Sequence, residues 1–173
     1  PHIQGAFRET LVADASQCVP ADGLTPGEAA MAEPLAVTLH ATRRAGDLLG
    51  KSVLVTGCGP IGVLSIISAR RAGANLIVAT DLSDYTLGMA KKAGADIVLN
   101  TAASPGALDP YKTEKGTFDV HYECSGAQVA LTSAIAVLRP GATILQLGLG
   151  GDMTLPMMQI TAKELVLKGS FRF

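Results

Sequence analysis

The stretch Ser52–Asp81 reads SVLVTGCGPIGVLSIISARRAGANLIVATD, and its reading decides the fold. Ser52–Thr56 (SVLVT) has the length and β-branched composition of a buried strand. Gly57-Cys58-Gly59-Pro60-Ile61-Gly62 follows at once, and the apolar-periodic run from about Ile61 to Ala72 reads as a helix closed by Gly73. Leu76–Thr80 (LIVAT) is a second strand, and Asp81 stands at its end, 19 residues beyond Gly62. A competing reading is a membrane span, because Ser52–Ala69 is an uncharged run of 18 residues. Gly57, Gly59, Pro60 and Gly62 oppose it: inside a helix each Gly costs about 1 kcal/mol and Pro about 3. A strand, a tight turn and a buried helix carry no such penalty.

Working outward, the same alternation continues. Asp84–Ala93 reads as a helix with Lys91 and Lys92 in its last turn and Gly94 just past it, and Ile97–Leu99 as a short third strand. Residues 100–116 carry Pro105, Gly106 and Pro110 and read as a connection with room for one helical turn. Phe118–Glu123 is a fourth strand, Gln128–Leu138 a helix, Ala142–Leu147 a fifth strand and Leu165–Ser170 a sixth. Strands alternating with helices imply an α/β fold, a Rossmann-type doubly wound sheet of six parallel strands with right-handed crossovers. Most strands are continuous apolar runs, as burial on both faces requires. The fourth departs from this, since Asp119, His121 and Glu123 alternate with Phe118, Val120 and Tyr122.

Residues 1–50 differ. Gly5–Cys18 has weak strand character through Phe7, Leu11 and Val12, and Pro20 with Asp22-Gly23 makes a turn. Thr25-Pro26-Gly27-Glu28 has capping-box spacing with Pro at the first helical position, and a helix or broken helix pair runs on towards Ala45-Gly46.

The chemistry concentrates in the glycine turn. Lying between a strand and a helix, Gly57 permits the tight turn and Gly59 lets backbone approach a pyrophosphate, while Gly62 packs helix on strand. Pro60 and Ile61 open the helix, whose unpaired N–H groups attract phosphate. Asp81 stands where a carboxylate accepts the ribose hydroxyls of adenosine, next to Ser83. Because a carboxylate repels a 2′-phosphate and no Arg or Lys follows, NAD is expected over NADP. The nicotinamide half belongs near the ends of the fourth and fifth strands, at Cys124, Ser125 and Gly126 and at Leu147, Gly148 and Leu149. Cys58 and Cys124 read as small core fillers, His40 and His121 as structural. By spacing alone Glu33 is a dipole-favoured acid at a helix start.

Composition removes other classes. Fourteen basic against 15 acidic residues leave a formal charge of −1, with no electrostatic argument for nucleic acid or an anionic membrane as partner. At 48% hydrophobic and 17% charged, the chain is too apolar for disorder. Three cysteines far apart, with no signal-peptide pattern, fit a reducing cytoplasm. No zinc-ligand spacing, Tyr-x-x-x-Lys pair or Ser/His/Asp set supplies a reaction centre, so the residues offer a cofactor half only. A methyltransferase using a similar glycine turn, a zinc-free quinone reductase and a stand-alone nucleotide-binding module remain the competing readings.

The chain resembles the cofactor domain of zinc-dependent medium-chain alcohol dehydrogenases, in the sorbitol dehydrogenase branch. The resemblance rests on PHIQGAF (1–7), SQCVP (16–20), MAEPLAVTLHA (31–41), TGCGPIG (56–62), TEKGTFDV (113–120) and LKGSFRF (167–173). The first and the last two of these point within that branch to its sugar-acid members rather than to sorbitol or threonine dehydrogenases. It implies oxidation of a sugar-acid or polyol hydroxyl with hydride passing to NAD. It further implies that residues 1–20 are a remnant of a GroES-like β domain, 21–45 a connecting helical segment and 46–173 the dinucleotide-binding domain. Glu33 would lie beside a catalytic zinc in the full-length enzyme, and Phe171 and Arg172 would be contacts to cofactor or substrate. Assembly as a homo-oligomer, dimer or tetramer, would use an edge near Gly151–Met158. Thr86 departs from the branch, which often places an Arg five residues past the ribose-binding acid.

Overall fold

A parallel strand satisfies its backbone only beside another strand, so the alternation from Lys51 onward has to close into one sheet. The computed structural model describes residues 5–172; residues 1–4 of the expected β-domain remnant, and Phe173, lie outside the described residues. The chain divides into two compact units between Ala32 and Glu33.

In the first unit, Asp14 caps a 3₁₀ turn at Ala15–Gln17 by accepting the Ser16 N–H at 2.9 Å. The Thr25/Glu28 capping box forms: Glu28 Oε2 accepts the Thr25 N–H at 2.8 Å and opens α1 (Pro26–Ala30). The strand character read over Gly5–Cys18 does not develop among the described residues, where the segment is exposed and Phe7 and Val12 find no core. Strand propensity is context-dependent, and without a partner ladder it yields to turns.

The second unit holds α2 (Ala32–Ala45) from Glu33 on, β1 (Ser52–Thr56), α3 (Pro60–Arg71), β2 (Leu76–Asp81), α4 (Asp84–Lys92), β3 (Ile97–Asn100), β4 (Phe118–Glu123), α5 (Gln128–Val137), β5 (Leu138–Gln146), α6 (Met157–Ala162) and β6 (Val166–Gly169). The strands run parallel in the order β3-β2-β1-β4-β5-β6. This is the doubly wound, six-stranded sheet expected. Register brings Thr56, Thr80, Glu123 and Gln146 into one row at the carboxyl ends. Between β1 and β4 the winding reverses, which opens a crevice above that row.

Two apolar layers sandwich the sheet. One joins Val53, Val55, Ile77 and Tyr122 to Ile66 and Ala69 of α3 and Leu87 and Ala90 of α4. The other joins Leu54, Val78 and Ile144 to Leu131, Ala134 and Ile135 of α5. Helix α2 enters through Thr38, whose hydroxyl meets that of Ser68 at 2.9 Å, and Thr42, which accepts the Tyr122 hydroxyl at 3.0 Å. α5 stops at Val137 because Leu138 already pairs with Phe118 in β5, so that strand begins earlier than its apolar run implied. The Lys163 ammonium closes the helix end, donating to the carbonyls of Ile135, Ala136 and Leu138 at 2.8–3.0 Å. Helix α6 carries no strong periodicity and was not anticipated; the expected oligomer segment 151–158 is loop as far as its last two residues, which open α6.

Neighbouring positions on α3 test this packing. Ile66 is 0% exposed and Ile67 38%. Ile66→Ala lowers stability by about 2–5 kcal/mol and Ile67→Ala by less than about 1. Urea midpoints measure both, and equal losses would contradict the two-layer core.

Candidate functional site

The site is built where β1 must turn sharply into α3. Gly57 adopts φ +84°, and a Cβ there would stand 2.8 Å from the backbone nitrogen of Ser125. A Cβ on Gly62 would lie 1.8 Å from the Gly57 carbonyl oxygen, so the first turn of α3 rests directly on the loop that precedes it. Gly59, the N-cap residue of α3, differs: a Cβ there meets nothing within 4 Å, and no side chain caps the helix. Its first N–H groups, with the positive end of the helix dipole, therefore face open space. Pro60 occupies N1, where its missing N–H costs nothing, and Ile61 follows it.

Asp81, at the end of β2, ties this turn down. Its Oδ2 accepts the Cys58 N–H at 2.6 Å, and its Oδ1 accepts those of Leu82 at 2.7 Å and Ser83 at 3.0 Å. Partial burial pushes the carboxyl up, but hydrogen bonds from the Cys58, Ser83 and Leu82 N–H groups, with the Thr86 hydroxyl nearby, outweigh it. The net effect holds Asp81 below the usual carboxylate range, hence ionised. A carboxylate has about four acceptor directions; three backbone donors occupy Asp81 and the Thr86 hydroxyl donates to the Ser83 carbonyl at 2.9 Å, so one direction is left for a ligand hydroxyl. Thr86 thus contributes to this corner although it is no arginine.

Gly57, Gly59, Asp81, Cys124 and Ser125 line one groove of about 460 Å³. Sequence reasoning missed much of the rest of its lining: Leu82, Thr101, Pro105 and Leu108, with Ala127 before α5 and Val129, Ala130 and Ser133 within it. The available signal was the first turn of α5, which carries small and apolar residues on a face that leaves Val129 exposed. Such a groove can hold a flat, largely apolar ring at one end and an anion at the helix terminus.

Beyond Ser125 the ends of β4 and β5 interlock. Glu123 is 0% exposed. It accepts the Ser125 N–H at 2.9 Å, the Ser125 hydroxyl, the Gly126 N–H at 3.1 Å and the Gln146 side-chain amide at 2.6 Å. Its main-chain carbonyl accepts the N–H groups of Leu147 and Gly148 at 2.9 and 2.8 Å. The polar alternation in β4 now has its physical account. Asp119 accepts the Ser52 N–H at 2.8 Å and pairs with Arg139 at 3.0 Å. Buried His121 meets the Thr56 hydroxyl through Nε2 at 2.9 Å, and Nδ1 has no hydrogen-bond partner.

Other expected residues stand apart from the groove lining. Leu149 is exposed, as are Phe171 and Arg172 after β6, where the Arg172 guanidinium lies 5.1 Å from the Phe171 ring centroid. Glu33 is exposed in the first turn of α2. Among the described residues, no group of three or more His, Cys, Asp or Glu side chains is arranged to hold a metal. Burial pushes both the Cys58 and Cys124 thiols up to about 12, which keeps them protonated fillers. No helix among the described residues is long and apolar enough to cross a membrane.

Comparison with known proteins agrees with the fold. Residues 60–173 match the family model described as zinc-binding dehydrogenase. The chain is 41% identical to L-idonate 5-dehydrogenase (NAD(P)(+)) of Escherichia coli, across 100% of this chain and 50% of that protein. It is 41% identical to sorbitol dehydrogenase of Macaca fascicularis, covering 88% of this chain and 44% of that one. The crystal structure of the Escherichia coli idonate enzyme superposes with a TM-score of 0.88, covering 94% of this chain and 47% of the other. The chain therefore spans about half the length of the curated relatives it matches.

The buried imidazole gives a pH test. Burial pushes His121 from 6.5 down to about 3, so the folded chain keeps it neutral while the unfolded chain protonates it below its ordinary value. Its contribution is full above pH 6.5 and is lost as pH falls towards 3, at up to about 1.4 kcal/mol per pH unit. His121→Asn removes that slope. Urea unfolding of both chains between pH 7.5 and 5 measures it, and parallel pH profiles would refute the assignment.

Proposed function

We propose that this chain, which belongs to the zinc-binding dehydrogenase family, is the NAD-binding half of a dehydrogenase of polyols or sugar acids. One observation carries the reading: the open N-terminus of α3 at Gly59 and the ionised Asp81 carboxylate line the same groove. Gly57, Gly59, Pro60 and Ile61 present backbone to the pyrophosphate. Asp81, beside Ser83, accepts the ribose hydroxyls, and Leu82, Pro105 and Val129 offer apolar cover to the adenine. Cys124, Ser125 and Gly126, with Leu147, Gly148 and Leu149, form the wall for the nicotinamide half, and Phe171 and Arg172 close on cofactor or substrate. Bound NAD supplies the hydride acceptor; the chain binds and orients it.

NAD is preferred over NADP because Asp81 repels a 2′-phosphate and the groove lining includes no Lys or Arg. The described residues do not by themselves make a zinc site. The family description supports a metal in the full-length parent; Glu33, at the head of α2, is the residue of this chain assigned beside it. The identity of 41% to the idonate enzyme supports L-idonate as substrate and 5-keto-D-gluconate as product. Another polyol or alcohol is the alternative, which the sorbitol dehydrogenase match favours. Exposed Leu149, Met157 and Met158 support a homo-oligomer through the 151–158 edge. Unpaired cysteines fit a cytoplasmic location.

Calorimetric titration with NADH and NADPH tests the cofactor reading. NADH binds the wild-type chain at least about tenfold more tightly, a difference of about 1.4 kcal/mol; tighter NADPH binding would overturn the role of Asp81. Gly59→Ala, whose methyl enters the phosphate space, stays within about 1 kcal/mol of wild-type stability while its NADH affinity falls more than tenfold. With zinc and NAD supplied, the 173-residue chain leaves L-idonate unoxidised. Turnover in that assay would refute the assignment of this chain to the cofactor half alone.

A further inference from the structure

The most heavily bonded side chain of the second unit lies outside the adenosine end of the groove. Glu123 is 0% exposed and lies at the carboxyl end of β4. Burying a carboxylate costs several kcal/mol unless donors surround it, and an apolar residue would complete the sheet equally well. Here the donors come from two different loops. Ser125 and Gly126 approach from the segment after β4, and Gln146 from the end of β5, at 2.6–3.1 Å apart from the shorter Ser125 hydroxyl contact. The Gln146 amide also donates to the Gly148 carbonyl at 2.9 Å, extending the link along the second loop.

The result is a fused wall. A Cβ on Gly148 would lie 2.6 Å from Glu123 Oε2 and 2.2 Å from the Gly126 nitrogen, and one on Gly150 would lie 1.7 Å from the Gly126 carbonyl oxygen. Thr56 reaches the same carboxylate from β1, with a long contact of 3.4 Å, and meets His121 Nε2 at 2.9 Å. The adenosine end hangs on the bonds of Asp81 with Cys58, Leu82 and Ser83, and meets this wall where Gly57 rests on the Ser125 backbone.

We propose that Glu123 is a positioning residue, whose buried carboxylate clamps the 124–126 and 146–150 loops together and so shapes the nicotinamide end of the groove without setting its adenosine end. This rests on the dinucleotide reading above. The groups converging on Glu123 are donors, so Glu123→Gln, equal in size, turns an amide NH₂ towards N–H groups and spreads the loops. Gln146→Met removes the donor from the β5 side alone.

The test compares NADH with ADP-ribose, which lacks the nicotinamide, by calorimetry on the whole chain, together with the emission of bound NADH. Wild type holds NADH more tightly than ADP-ribose and shifts its emission. In both variants ADP-ribose affinity stays within about twofold. The NADH preference falls at least about threefold in Gln146→Met and tenfold in Glu123→Gln, and the emission shift is lost. A purely structural role moves both ligands together, so an unchanged ratio in the variants overturns the proposal. Should Glu123→Gln fail to fold, Gln146→Met decides alone. A wild-type chain that binds ADP-ribose and NADH equally leaves the dinucleotide reading standing and sinks this one; a chain that binds neither sinks the dinucleotide reading itself.

Discussion

Backbone packed on backbone at the mouth of β1 is the constraint on which the rest of the structure depends. The Gly57 carbonyl lies where a Gly62 side chain would begin, and Gly57 itself lies against the backbone of Ser125. Only residues without a Cβ allow α3 to start this close to β1 and β4. That closeness aims the N-terminus of α3 along the carboxyl edge of the sheet. Gly59 then leaves the helix end uncapped and open, and the Asp81 carboxylate locks the turn by accepting the Cys58 N–H. One contact set therefore closes the turn and leaves an uncapped helix N-terminus beside an ionised carboxylate.

A second constraint follows in β4, where Asp119, His121 and Glu123 put three polar side chains at alternate positions of a strand inside the sheet. Each is answered locally: Asp119 by Ser52 and Arg139, His121 by Thr56, Glu123 by two loops. Buried polar groups are tolerable only when partnered, and partners hold geometry more strictly than apolar packing does. The segments after β4 and β5 are thus joined by hydrogen bonds as well as by close glycine packing, and the turn after β1 by glycine sterics together with the Asp81 carboxylate. The unpartnered His121 Nδ1 is the one loose end in that row.

Much of this was legible in the linear chain, and particular residues explain why. Val53–Val55 and Ile77–Ala79 lie buried on both faces, so their uninterrupted apolar runs declared a parallel sheet. Glycine spacing after β1 and an acid after β2 are local in sequence, and their geometry is local too. Leu138 is different: a bulge opposite Phe118 draws it into β5, a pairing that no neighbour in sequence specifies. Lys163 caps α5 from more than two dozen residues away, and Gly5–Cys18 shows strand chemistry without a strand.

By itself, then, the sequence determined the alternation of elements, the glycine turn after β1 and the acid beside it, because each follows from short-range sterics, periodicity and charge. Tertiary structure alone decided which small apolar residues of the α5 approach wall the groove. It also decided why β4 carries acids and a histidine, and that Glu123 joins two loops more than 20 residues apart in the chain. Those outcomes depend on which strands become neighbours. Neighbourhood in a doubly wound sheet is set by the crossover between its halves, not by proximity along the chain.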